Sequence, residues 1–234
     1  MREDLIIAHR GIHDNITIPE NSISSFKKAL DNNIPIEFDI QITKDNKLVI
    51  FHDDNLKRMT GVDKFIQEEE FADIRKLRLL NTSETIPTFR EVLDLINSKV
   101  LLDIEIKNTS KKKKVVELVL KELENYKGEV FLKSFNPFIV KQIKKKTNKY
   151  KLGLLITDKY NINIVDLIFK TNLPIYYLKP DFLSIKKTML TKKYYKQFRD
   201  HYRIFIWTIK SEKEILKYKR TYLDNISYIC NIER

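Results

Sequence analysis

Apolar and polar positions alternate between two periods along this chain. Leu5-Ile6-Ile7-Ala8 is a short apolar run ending at His9, and it predicts a strand. Glu20 to Asn33 has helical spacing, with Ile23, Phe26, Ala29 and Leu30 on one face. Pro35 to Thr43 and Leu48 to His52 read as strands, and a mixed segment follows over residues 53–87. Thr88 with Glu91 three residues on predicts a capping box and a helix start. Val100 to Lys107 reads as a strand and Val115 to Leu123 as part of a helix. The alternation continues with a strand over 130–134, a helix over 137–147 and a strand over 152–156. A helix over 163–171 and a strand over 175–178 come next. A helix over 191–201, a strand over 204–209, a helix over 211–222 and a last strand near 228–230 complete it.

Strands alternating with helices argue for a parallel sheet. Their number fits a closed barrel better than a short open sheet, and no Gly-rich dinucleotide loop supports a doubly wound one. The expectation is an α/β (β/α)8 TIM-type barrel. It forms one domain over residues 1–234, with a small insertion at 53–87 after the third strand. One connection is too short for a parallel crossover: Thr43 to Lys47 must turn a hairpin. If Asp45-Asn46 is a two-residue loop, Lys44 pairs with Lys47 and Asp39 lies opposite His52.

The 234 residues suffice for one such barrel. Hydrophobic content of 42% and charged content of 32% read as soluble and globular. The single cysteine, Cys230, excludes a disulfide framework and a cysteine-rich zinc site, and its apolar neighbours suggest a buried inert thiol. No signal peptide or membrane-length apolar run is seen, so cytoplasm is the default location. The net charge of +12 suits anionic partners. Its basic runs, Lys111 to Lys114 and Lys144 to Lys146, fall in amphipathic helices and read as solvated faces. No nucleic-acid-binding signature accompanies them.

The candidate chemistry collects at strand ends. His9-Arg10 ends the first strand and His52-Asp53 the third, Glu37 and Asp39 interrupt an apolar strand, and Asp103, Glu105 and Lys107 alternate in another. Barrel enzymes take catalytic groups from the C-terminal ends of several strands, and charges in apolar strands are costly unless paired or metal-bound. A carboxylate set suits Mg²⁺ or Ca²⁺, two histidines suit general acid and base, and Arg10 and Lys107 suit a phosphate. Each residue alone has a plainer reading as a satisfied strand-end or salt-bridged group. The His9/His13 spacing of a helical zinc pair is set aside, because Gly11 and the strand end argue against a helix there.

In order along the chain stand His9-Arg10-Gly11, Pro19-Glu20-Asn21-Ser22, Ile36-Glu37-Phe38-Asp39-Ile40 and Thr43-Lys44-Asp45. Val49-Ile50-Phe51-His52-Asp53, Ile86-Pro87-Thr88 and Ile104-Glu105-Ile106-Lys107 follow. This series closely resembles the glycerophosphodiester phosphodiesterase family, strongly over about residues 5–108 and more loosely through Ser134-Phe135 and Trp207-Thr208. The resemblance implies Glu37, Asp39 and Glu105 as ligands of a divalent cation, and His9 and His52 as the acid/base pair. It implies Arg10 and Lys107 on the phosphate, with Glu20 and Asn21 shaping the site and Glu20 near the metal. It implies Trp207 beside the glycerol or as pocket wall, against the plainer reading of a core aromatic. The implied reaction converts deacylated phospholipids to an alcohol and glycerol 3-phosphate. A lysophospholipase D-like enzyme acting on a lipid, with peripheral membrane contact, and a non-catalytic phosphodiester-binding barrel are the alternatives. The chain departs from the family after Trp-Thr, where Lys210 takes an Asn place. It departs again at Leu223 to Asn231, where a Gly-Asp-Gly strand and Thr-Asp are usual. Those departures put the alcohol specificity in question.

Overall fold

The computed structural model describes residues 4–157, 172–222 and 226–232. Among the described residues nine strands form one sheet: β1 (Ile6–His9), β2 (Ile36–Ile42), β3 (Leu48–Ile50), β4 (Leu102–Ile106), β5 (Val130–Ser134), β6 (Lys151–Ile156), β7 (Phe182–Lys186), β8 (Arg203–Ile209) and β9 (Ile226–Cys230). The order β1-β9-β8-β7-β6-β5-β4-β2 closes on itself through a parallel β1–β2 pairing, giving an eight-stranded parallel barrel. The expected (β/α)8 architecture is what the chain adopts. Strands covered on both faces need continuous apolar runs, and β2, β4 and β5 are buried at every position.

Helices α1 (Ile23–Asp31), α4 (Phe89–Ile96), α5 (Lys112–Glu122) and α6 (Pro137–Lys146) cover this wall. The short α2 (Lys57–Thr60) and α3 (Phe71–Ile74) lie between α1 and α4 in the chain. The capping box at α4 forms as read: Thr88 Oγ1 accepts from the Glu91 N–H, and Glu91 Oε2 accepts from the Thr88 N–H at 2.8 Å. The expected helix over 163–171 lies outside the described residues. Further on, α8 (Lys192–Phe198) and α9 (Glu212–Thr221) fall inside the expected helical spans.

Two expectations are corrected. Residues 175–178 belong to helix α7 (Leu173–Leu178), and the strand is Phe182–Lys186. Ile175-Tyr176-Tyr177-Leu178 has strand-like composition, but its burial has helical period. Ile175 and Leu178 are buried, while Tyr176 and Tyr177 are exposed. Pro174 in the first turn presets the helix, and Lys179 at φ 45° ends it.

The β2–β3 hairpin is also one residue out of the expected register. Ile40 pairs with Ile50 and Ile42 with Leu48, so Asp39 faces Phe51 instead of His52. The loop is Lys44-Asp45-Asn46, closed by an Asn46 N–H to Thr43 carbonyl bond of 3.1 Å, with Asn46 at φ 65°. That is the three-residue hairpin, a turn followed by a left-handed residue. β3 then stops at Ile50, so His52 leaves strand alternation.

Segment 53–87 packs around its own apolar cluster, in which Leu56, Met59, Ile66, Ile74 and Leu79 meet Val49 and Phe51 of the β3 arm. This cluster anchors the segment that carries His52 and Asp53, and Arg58 on α2. Among the described residues no helix is long and apolar enough to cross a membrane. Cys230 is buried, and burial pushes its thiol up to about 12, as its apolar context suggested.

Inside the barrel, Phe131, Phe182 and Phe205 join Ile7 and Ile229 as a plug. Ring centroids of Phe182 and Phe205 are 4.8 Å apart, and those of Phe131 and Phe182 5.5 Å. Gly153 is Phe182's strand partner, and a Cβ there would come within 2.2 Å of the Phe182 ring. The glycine is required by this close approach. Gly153→Ala is expected to cost about 1–3 kcal/mol through overpacking, read as a lower urea midpoint at unchanged slope. Adding Phe182→Leu should recover part of the loss; no midpoint change in Gly153→Ala would show that the plug yields freely.

Candidate active site

β1 ends at His9, and the chain then turns through Arg10 (φ 59°) and Gly11 (φ 78°). A Cβ at Gly11 would strike Ser25 at 2.5 Å. The Arg10 carbonyl accepts from the Asn21 N–H and from Ser25 Oγ, which holds this left-handed turn and aims Arg10 inward. Parallel register brings the carboxylates together: His9 aligns with Glu37, Glu37 with Asp103, and Asp39 with Glu105. Residues two apart share a strand face, so all four acids point one way. Glu37, Asp39 and Glu105 each offer an oxygen within 4.8 Å of the others, and all three are buried.

Cations surround the acids. Lys107 Nζ lies 2.9 Å from Glu105 Oε1 and 3.6 Å from Asp39 Oδ1, and Arg10 Nε lies 3.5 Å from Asp39 Oδ2. Asn21 Nδ2 donates to Asp39 Oδ2 at 3.0 Å. Burial works to raise the Asp39 carboxyl. Lys107, His52, Arg10 and the Asn21 amide outweigh it and hold Asp39 ionised well below the carboxylate range. Burial raises Glu37, with Asp39 and Asp103 adding to the rise and Lys133 opposing it. Burial opposes charge on Lys107, but Glu105 and Asp39 keep it protonated.

The two histidines have different neighbours. His9 Nδ1 donates to the neutral Asn231 Oδ1 at 2.7 Å, leaving Nε2 with a free lone pair. Burial and Arg10 depress His9 to about 3, against the Asn231 bond. His52 Nδ1 meets the Asp53 carboxylate at 2.5 Å. Asp53 in turn takes Arg58 Nε at 2.5 Å, Arg58 Nη2 reaches Glu20 Oε1 at 2.7 Å, and Arg10 Nη1 reaches the same oxygen at 2.7 Å. A continuous ionic chain thus joins His52 to Arg10 and Asp39. His52 is linked to Asp39 through this chain of ion pairs, although the hairpin register differs from the one expected.

Glu20 therefore sits among arginines, and the three-carboxylate cluster forms without it. Burial pushes Glu20 upward, but Arg58 and Arg10 outweigh it and bring Glu20 down to about 2. Its pairing stabilises the fold fully above its ordinary value of 4.5, and this contribution is lost as pH falls toward 2. Glu20→Gln is expected to lose about 1–3 kcal/mol at pH 7. The gap from the parent should shrink in urea titrations between pH 5 and pH 2.5. A gap independent of pH would remove the ionic explanation.

A cavity of about 400 Å³ opens above the acids, within the range of small-molecule sites. His9, Arg10, Glu37, His52 and Glu105 form its charged side. Phe135, Leu155, Trp207 and Ile229 form its apolar side, with Lys186 and Thr157 among them. Trp207 and Phe135 meet edge to face at 5.7 Å, and Trp207 both lines the cavity and packs against the phenylalanine plug. Asp39, Lys107, Asn21 and Glu20 are tied to this lining by the bonds above, while His13 stands outside the acidic cluster. Among the groups that hold the charged side, Lys133, Arg58 and Asn231 carry no role in the sequence reading. Lys133 was detectable, because it is a charge in the apolar strand Val130–Ser134.

The donor set fits a hard divalent cation. Its ligand atoms are all oxygens, and buried like charges need a counter-charge. The buried Asn21 Oδ1 beside Asp39 has no hydrogen-bond partner among the described residues.

The model of the glycerophosphoryl diester phosphodiesterase family matches residues 9–226. The chain belongs to this family. A glycerophosphodiester phosphodiesterase of Caldanaerobacter subterraneus subsp. tengcongensis is 30% identical over 236 residues, covering 95% of this chain and 92% of the relative. One from Bacillus altitudinis is 30% identical over 90% of this chain and 88% of its own length. Among solved structures, an Oleispira antarctica phosphodiesterase in complex with the product sn-glycerol-3-phosphate superposes with a TM-score of 0.83. It is 23% identical and covers 97% of this chain and 92% of that one. As a member of the glycerophosphoryl diester phosphodiesterase family, the protein is a phosphoric diester hydrolase.

Proposed function

We propose that the protein hydrolyses glycerophosphodiesters to an alcohol and glycerol 3-phosphate. The observation that carries this reading is one cavity lined by two histidines, Arg10, and Glu37 and Glu105 of an oxygen-only acidic triad. Glu37, Asp39 and Glu105 would hold Mg²⁺ or Ca²⁺, with Asn21 orienting Asp39. When bound, such a cation supplies Lewis-acid stabilisation of charge on the phosphoryl oxygens. Arg10 and Lys107 bind and orient the phosphate, with Glu20 holding the Arg10 guanidinium in place.

The hydrogen bonds support a division of labour between the histidines. His9, held by a neutral amide, offers its unprotonated Nε2 as general base to the attacking hydroxyl, from water or from the glycerol 2-position. The nucleophile oxygen bonds to phosphorus as its proton passes to His9; attack by water gives glycerol 3-phosphate directly, whereas attack by the 2-hydroxyl gives a cyclic phosphate that a water must then open at the bond to the 2-oxygen. His52, backed by the Asp53 carboxylate, gives its Nε2 proton to the leaving alkoxide as the P–O bond breaks. Trp207 and Phe135 wall the organic part of the substrate. The whole chain works as one catalytic barrel, in which segment 53–87 carries Arg58 to the site.

Purified protein assayed on glycerophosphocholine, glycerophosphoethanolamine and lysophosphatidylcholine, with Mg²⁺ or Ca²⁺, tests the substrate class. Turnover of the small diesters well above that of the lysolipid is expected. Preference for the lysolipid, with binding to liposomes, would transfer the assignment to a lysophospholipase D.

A further inference from the structure

Lys133 on β5 is a buried lysine inside the barrel, with a side chain 1% exposed. Its ammonium lies 2.6 Å from Asp103 Oδ2 and 3.2 Å from Glu37 Oε1, and it reaches the floor of the active-site cavity. Ion pairs buried this deeply are seldom the most stable way to fill a core; neutral side chains of similar volume often do as well. The position therefore calls for a reason beyond packing.

Glu37 shows what that reason is. Its Oε2 accepts from the Arg10 backbone N–H at 3.2 Å, while its Oε1 faces Lys133. Both oxygens are held, so the carboxylate plane is fixed from two sides. Each oxygen keeps a second lone pair, which leaves both contacts compatible with cation ligation. The Lys133 ammonium donates to Asp103 Oδ2 at 2.6 Å, and in the strand register Glu105 stands beside Lys133 and Glu37 beside Asp103.

We propose that Lys133, anchored by Asp103, is a positioning residue that fixes the Glu37 carboxylate for the divalent cation. Groups of this kind behind a metal ligand are worth about 10–100-fold in metal affinity. The inference rests on the reading of Glu37, Asp39 and Glu105 as the cation centre, and the test separates the two.

The variant Lys133→Met/Asp103→Asn removes one charge of each sign and keeps side-chain volume. The formal charges of the pair cancel, so the variant removes the pair together with its hold on Glu37. Mn²⁺ titration followed by electron paramagnetic resonance is expected to show about 10–100-fold weaker binding than the parent. A second measurement needs no variant. In the parent, the Lys133 ammonium, shielded by burial, should give a slowly exchanging ¹H–¹⁵N resonance that shifts when Mg²⁺ is added. Parent-like Mn²⁺ affinity in the folded double variant, or a Lys133 resonance unmoved by Mg²⁺, overturns the inference and leaves Lys133 a brace of the barrel. If the parent itself holds no Mn²⁺ that Glu105→Gln removes, the cation centre falls and the inference with it.

Discussion

His9→Ala and His52→Ala should each lower kcat by at least about 100-fold on a glycerophosphodiester, the usual loss for a general acid or base. The double variant should lose far less than the product of the two, because groups acting in one displacement are not additive. The hydrogen bonds predict more than this. His9 leans on the neutral Asn231, whereas His52 leans on the Asp53 carboxylate. A nitrophenyl phosphodiester has a leaving group that needs little protonation. It should rescue His52→Ala and leave His9→Ala impaired. The opposite rescue would exchange the two roles, and near-normal turnover in either single variant would make that histidine structural.

Glu37→Gln, Asp39→Asn and Glu105→Gln should each lower turnover by about 1,000-fold or more, as should excess chelator, since several kcal/mol of charge stabilisation is removed. Circular dichroism should show the barrel intact, and added Mg²⁺ or Ca²⁺ should restore the chelated parent but not the variants. Full activity in a variant that binds no cation would remove the acidic triad from the mechanism.

The sequence made most of this site legible because the site breaks the rule of its strands. Glu37, Asp39 and Glu105 alternate with Ile and Phe in buried strands, and the parallel register then aligns Asp39 with Glu105. Lys133 obeys the same rule, although no recognisable motif accompanies it. Arg58 and Asn231 were not legible, since nothing local marks them. Arg58 reaches Glu20 across 38 positions and Asn231 reaches His9 across 222, and only the closed barrel makes them neighbours. Asn231 also lies in the C-terminal run where the family pattern lapses, yet it is the group that orients His9.

The fold was read correctly where period and composition agreed. It was misread where they conflicted. The isoleucine and tyrosines of 175–178 suit a strand, yet their burial repeats every third residue. The hairpin slipped because Asp45-Asn46 suits a two-residue loop as well as the last two places of a three-residue one. His52 still reaches the site because β3 ends at Ile50 and the cluster of segment 53–87 fixes the loop beyond it.

The most direct test is a ³¹P magnetic resonance time course of the purified protein with glycerophosphocholine. With Mg²⁺ or Ca²⁺ present, the diester signal should decay and a glycerol 3-phosphate monoester signal should grow in step; after chelation neither should change. An unchanged diester with cation present, a different phosphorus product, or equal turnover in metal-free protein would contradict the account.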